Sequence, residues 1–109
     1  MSSIDVQLKI DDHGKGAFVV ERNNERVAEM VIRIAEGRLT VYHTEVREAF
    51  RGQGIADQLL ATMVEYARKH DLKVIPLCQY VLAKFKHAPK KYEDIWEKDW
   101  HKKKDDAEA

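Results

Sequence analysis

The hydrophobic period of this chain changes at position 55, and no other feature restricts its fold as much. Before that point apolar residues alternate with polar ones. After it, Ala56, Leu59, Leu60, Met63, Val64 and Ala67 recur at i, i+3, i+4, i+7, i+8 and i+11. The first spacing suits a strand with one buried face, the second a single apolar stripe on a helix. The chain is therefore expected to build a sheet and then lay a helix, from Ile55 to about His70, across it.

Individual strands follow from the same alternation. Val6, Leu8 and Ile10 alternate with polar neighbours up to a turn over residues 11–16, and residues 17–20 make a second strand closed by Asn23-Asn24. Residues 27–34 and 39–46 are rich in β-branched side chains, and Glu36-Gly37 between them has the chemistry of a tight reversal. Four strands in a meander result. Beyond the helix, residues 72–77 form a short apolar run that should return as a strand beside the one preceding the helix, making a βαβ crossover. Residues 80–86 and 92–98 read as short helices around Pro89, the second presenting Tyr92, Trp96 and Trp100 at i, i+4 and i+8 as an aromatic packing face. Residues 99–109 read as a solvated tail. The expected class is α+β: one domain over residues 1–109, with a mixed, mainly antiparallel twisted sheet.

With 109 residues, 44% of them hydrophobic, the chain can bury one core without staples. Lys plus Arg number 19, as do Asp plus Glu, so no overall field draws it to nucleic acid or to an anionic membrane. Cys78 is the single cysteine and cannot close an internal disulfide. No apolar run approaches the ~18 residues of a spanning helix, and no basic-then-apolar leader opens the sequence. The expectation is a soluble cytoplasmic protein with neither membrane nor nucleic acid as partner, and no motif asks for a metal.

Between the fourth strand and the helix lies VREAFRGQGIADQLL, residues 46–60. A strand-to-helix turn gathers unpaired backbone N–H groups at the helix N-terminus, where the macrodipole adds partial positive charge. Gly52 and Gly54 present no side chain to a ligand and permit positive φ, so successive N–H groups can converge on an anion. Arg47 and Arg51 flank the same opening. On the glycines alone, an ordinary turn and a phosphate cradle are equally good readings. Nucleotide folds are disfavoured by context: the Rossmann spacing is not matched, no Gly-Lys-Ser/Thr closes the run, and a meander precedes it.

RGQGIA, from Arg51 to Ala56, resembles the Arg/Gln-x-x-Gly-x-Gly/Ala signature with which the GNAT superfamily of N-acetyltransferases binds the pyrophosphate of coenzyme A. HTEV, RGQGIA, KVIPLC and YEDIW together resemble the minimal, single-domain Yjdj-type acetyltransferases, over about residues 6 to 96. Two departures stand out: Cys78-Gln79-Tyr80 where similar proteins have Cys-Pro-Tyr, and HAPKKY at residues 87–92 where they have His-Pro-Glu-Tyr. The resemblance implies that backbone groups of Arg51, Gly52, Gln53, Gly54, Ile55 and Ala56 hold the pyrophosphate of acetyl-coenzyme A, with Arg47 and Arg51 compensating charge. It further implies that the pantetheine arm pairs with Thr44 and Val46 along the fourth strand. The thioester would then lie between residues 43–45 and 77–80.

Acyl transfer to an amine needs an unprotonated nucleophile, a polarised carbonyl and a leaving thiolate that takes up a proton. A lysine-like amine is only about one part in 2,500 neutral at pH 7, so a base is useful. Glu45 is the candidate, with His43 second; they share one strand face unless a bulge intervenes. Glu45 could instead pair with Arg47 or Arg51, and His43 could be a structural hydrogen-bonding residue. Cys78 reads as a buried small hydrophobe, as a residue lining the cofactor or as a covalent acetyl acceptor, and Tyr80 as an acid for the leaving thiolate or a core anchor. The expected function is acetyl-coenzyme A-dependent N-acetylation of an amine; the alternatives are a non-catalytic acyl-coenzyme A-binding or sensing module and an interaction domain without cofactor. Compared with fuller acetyltransferases, the first two strands leave no room for helices between them, so an open acceptor side suited to a protein is expected.

Overall fold

Two left-handed turns set up the meander. In the computed structural model, which describes residues 4–98, Asn23 and Asn24 have φ of 54° and 66°, and Glu36 and Gly37 have φ of 53° and 77°. Positive φ at both central residues gives a reversal whose twist matches that of the strands it joins. Strands β1 (Val6–Ile10), β2 (Lys15–Arg22), β3 (Glu25–Ala35) and β4 (Arg38–Val46) are accordingly antiparallel neighbours in sequence order. β2 begins two residues earlier than its hydrophobic pattern suggests, because Lys15 and Gly16 already pair with Arg33 and Ile32.

Helix α1 (Ile55–Lys69) buries Ile55, Leu59, Leu60, Met63, Val64 and Ala67 on one sheet face, in a core with Phe18, Val20, Met30, Ile32, Leu39 and Val41. Ile55 replaces the half-buried Ala56 at the head of the expected stripe. The chain then returns as β5 (Lys73–Pro76), parallel to β4 from Arg38↔Lys73 to Val41↔Pro76. The βαβ crossover is as expected, and the sheet is mixed, with β1 to β5 in sequence order. Leu72 and Leu77 fall outside the strand. No helix among the described residues is long and apolar enough to cross a membrane.

The C-terminal part departs from expectation. Helix α2 (Gln79–His87) forms, but α3 is only Pro89–Tyr92, and residues 93–98 are not helical. The outer edge of β5 explains this. The Val74 N–H donates to the Ile95 carbonyl (2.6 Å) and the Glu97 N–H to the Val74 carbonyl (3.0 Å), so Trp96 forms a parallel bridge beside the strand. Those edge groups would otherwise lack partners, and satisfying them outweighs helix periodicity. Tyr92 stacks on Phe85 with centroids 4.5 Å apart and Trp96 meets the same ring edge-on at 5.5 Å, so these two aromatics pack intramolecularly. Trp100 and the expected tail of residues 99–109 lie outside the described residues.

Candidate functional site

The β4–β5 ladder ends at Val41 and Pro76, where the Cys78 N–H closes it by donating to the Val41 carbonyl (2.9 Å). β4 runs on to Val46, so the strands part beyond this point. A bulge sits at the parting: Val31 pairs with His43 but Ile32 with Val41, which leaves Tyr42 as the extra residue. Because the bulge precedes His43, His43 and Glu45 still share a face. It is the face away from α1, and among the described residues no helix packs there. Thr44 takes the helix side, its hydroxyl 3.4 Å from the sulfur of the buried Cys78. The Arg47 N–H donates to the Val27 carbonyl (2.8 Å). By strand alternation the backbone groups of Glu45 turn toward β3 too, and those of Thr44 and Val46 turn to the open side.

The connection from β4 to α1 passes through a 3-10 turn, Glu48–Phe50, and then takes positive φ at Gly52 (82°) and Gly54 (79°). A Cβ at either glycine would meet no atom within 4 Å, so both face open space and are required by their φ alone. Gly54 is the N-cap of α1 and offers no capping side chain, leaving the first helical N–H groups without a helical acceptor. These residues open on a cleft of about 180 Å³ lined by Val46, Phe50, Arg51, Gly52, Gly54, Ile55, Ala56, Asp57 and Tyr80. Unpaired N–H groups, the positive end of a 15-residue helix and an arginine on one cleft suit an anion.

The two arginines separate. Arg51 stays at this cleft, its Nε donating to the Val46 carbonyl (3.1 Å). Arg47 instead pairs with Glu25 (2.9 Å) and lines a second cleft, of about 280 Å³, with Arg26, Val27, Ala28, Glu29 and Glu45. Its charge is spent there, not at the glycine loop. Neither arginine takes the Glu45 carboxylate, which makes no hydrogen bond or ion pair with the described residues. Register sets Glu45 directly opposite Glu29, whose other neighbours are Arg26 (3.0 Å) and the His43 Nε2 (3.7 Å). The donor atoms of Glu29, His43 and Glu45 all lie within 4.8 Å of one another. Glu29 was not among the residues anticipated from sequence; cross-strand pairing of residues 27–34 with 39–46 is the signal that carries it.

Tyr80 belongs to the helix side. Its hydroxyl donates to Asp57 in the first turn of α1, and Lys84 reaches the same carboxylate at 3.1 Å. Burial, and after it the Asp57 carboxylate, hold the phenol above the ordinary tyrosine range. Tyr80 and then Lys84 hold Asp57 below the ordinary aspartate value. The candidate groups thus divide by face: His43 and Glu45 on the side away from α1, Thr44, Cys78 and Tyr80 on the helix side, with the gap between β4 and β5 joining the two.

A mixed sheet split at a β4 bulge, followed by a glycine cradle at a helix N-terminus, defines an acetyltransferase-like class. The profile of the GCN5-related N-acetyl-transferase family matches residues 17–95, and the chain belongs to that family. Protein NATD1 of Xenopus tropicalis is 31% identical over 80 residues, which span 72% of this chain and 73% of that protein. The solution structure of a GCN5-like protein from Staphylococcus aureus superposes over 88% of this chain and 90% of its own, at a TM-score of 0.62 and 26% identity. A GNAT acetyltransferase from Elizabethkingia anophelis, crystallised with acetyl-CoA bound, shares the fold over 58% of this chain and 42% of its own, at a TM-score of 0.50 and 23% identity.

Proposed function

We propose that this protein is an acetyl-coenzyme A-dependent N-acetyltransferase that acts on an amine of an exposed, macromolecular acceptor, a protein by preference, in the reducing cytoplasm. The observation that carries this is the Gly52–Gly54 loop at the head of α1, opening beside a β4 whose backbone groups at Thr44 and Val46 turn toward the gap. In this reading the N–H groups over Arg51, Gly52, Gln53, Gly54, Ile55 and Ala56 take the pyrophosphate, with Arg51 the nearer counter-charge. The pantetheine arm adds to β4 as a short extra strand. The thioester carbonyl then reaches the parting at Tyr42, where the bulge frees backbone to stabilise its developing oxyanion.

The acceptor approaches from the face away from α1. Glu45, unpaired and backed by His43, takes a proton from the amine directly or through water; the amine nitrogen bonds to the carbonyl carbon and the C–S bond breaks as the thiolate leaves. The burial of Cys78, 4% exposed with its sulfur turned against Thr44, supports direct transfer. No described helix covers the acceptor face, which supports a macromolecular amine over an enclosed metabolite. Calorimetric titration with coenzyme A tests the site. Saturable binding is expected, and no heat of binding at millimolar ligand would remove the reading.

A further inference from the structure

Taking the cofactor reading as its basis, we propose that Asp57 is a positioning residue for the cofactor cleft: with Tyr80 and Lys84 it clasps α1 to α2 and fixes the tyrosine as one wall. Tyr80 and Lys84 stand one turn apart on α2 and reach a single oxygen of Asp57, Oδ1, in the first turn of α1. The Lys84 ammonium also lies 5.5 Å from the centre of the Tyr80 ring. Asp57 and Lys84 are 65% and 40% exposed, so their ion pair alone is weak and the tyrosine hydrogen bond carries the clasp.

Asp57 lines two cavities. One is the cofactor cleft; the other is a groove of about 490 Å³ between α1 and the α2–α3 segment, where it is joined by Leu60, Val64, Lys84 and Tyr92. Tyr80 lines the first and Lys84 the second, so in this proposal the clasp stands between the two and its loss lets the cleft open toward the groove. Asp57 also suits the positive end of α1, but beside a pyrophosphate cradle its negative charge repels the ligand, so any help it gives to binding must come through what it holds in place. The clasp also changes the part played by Tyr80. Its proton is engaged by Asp57 and held more tightly than a free phenol holds it, whereas an alkyl thiol ionises near pH ~8.5. Tyr80 therefore keeps its proton while the thiolate departs, and it serves as a wall, not as the acid.

The test turns on the sign of one substitution. Titrated with coenzyme A in a calorimeter, Asp57→Ala should bind about three- to tenfold more weakly than wild type, the worth of one hydrogen bond, although it has lost a repelling charge. Asp57→Asn, which keeps an acceptor for the tyrosine and drops the charge, should bind at least as tightly as wild type. Asp57→Ala binding as tightly as wild type or tighter, as charge alone dictates, overturns the clasp. A second arm needs no cofactor. Tyrosinate absorbance is followed against pH, with Tyr80→Phe identifying the Tyr80 component. That component should move to lower pH in Asp57→Ala, and an unmoved component overturns the clasp even if wild type binds no coenzyme A. Absence of wild-type binding would itself count against the cofactor reading alone.

Discussion

Gly54 shows how one residue type can set a turn. Its φ of 79° is one that side chains with a Cβ rarely adopt, and the space above it is open. Gly54→Val should therefore cost about 1–2 kcal/mol of stability through left-handed strain, leave the fold intact, and lower coenzyme A affinity by more than tenfold, because the new side chain projects where the pyrophosphate is placed. Unchanged affinity in calorimetry would argue against the cradle. The burial of Cys78 argues for direct transfer: intact-mass measurement after mixing with acetyl-coenzyme A should find no acetyl adduct on it, and an adduct lost in Cys78→Ala would reinstate a covalent route. The glycines were legible in the sequence because positive φ is a property of their own backbone. Glu29, Asp57 and the Glu25 partner of Arg47 were not, since each acquires its role from a residue on another element, 14 or more positions away.

At the scale of elements, α1 was the most legible part of the chain, because a 3.6-residue stripe over four turns has no competing reading. Leu59 lies on that stripe with no exposed surface. Leu59→Ala should destabilise the fold by about 2–5 kcal/mol, checked by urea unfolding; a loss under about 1 kcal/mol would mean that α1 is not the packing element described here. The two reversals at Asn23-Asn24 and Glu36-Gly37 were legible for a local reason, the tolerance of positive φ by asparagine and glycine, with Glu36 carried into the same region beside Gly37. The stretch over residues 92–98 misled for the opposite reason. Its i, i+4 aromatic spacing is real, since Tyr92 and Trp96 both reach Phe85, but the backbone between them is drawn off to satisfy the edge of β5. The bulge at Tyr42 leaves no mark in the sequence, as it arises from how β3 and β4 are registered.

For the whole molecule, charge pairing predicts how stability responds to pH. Asp57, Asp94 and Asp11 are all held below the ordinary aspartate value: Asp57 by Tyr80 and then Lys84, Asp94 by Arg68, and Asp11 by the Lys15 and His13 backbone N–H groups. The folded chain thus binds fewer protons than the unfolded one in the acid range, so this stabilisation is present above an unfolded aspartate value near 3.8 and is lost as pH falls through the lower folded values. Tyr80 has the reverse sign. Its raised folded value contributes stability below the unfolded value near 10.0, and that contribution is lost as pH rises through the folded value. Urea midpoints should therefore be flat near neutrality, drop on acidification, and drop again in strong alkali, the alkaline drop being smaller in Asp57→Ala; a midpoint that climbs on acidification below about pH 4 would contradict these pairings.

Over the described residues the molecule is a sheet with helices on one face and with His43 and Glu45 on the other, joined through one gap. The fold was foreseen from the sequence, while the division of candidate groups between the two faces became visible only in three dimensions. Its central claim is that an acetyl group crosses the gap to an amine. Incubation with labelled acetyl-coenzyme A and a panel of peptides, polyamines and small amines measures this directly. Label should appear on an amine acceptor, with peptides favoured, and Glu45→Gln should cut the rate by about a hundredfold or more, as loss of a general base does. Coenzyme A binding with no label transferred to any amine would contradict the claim.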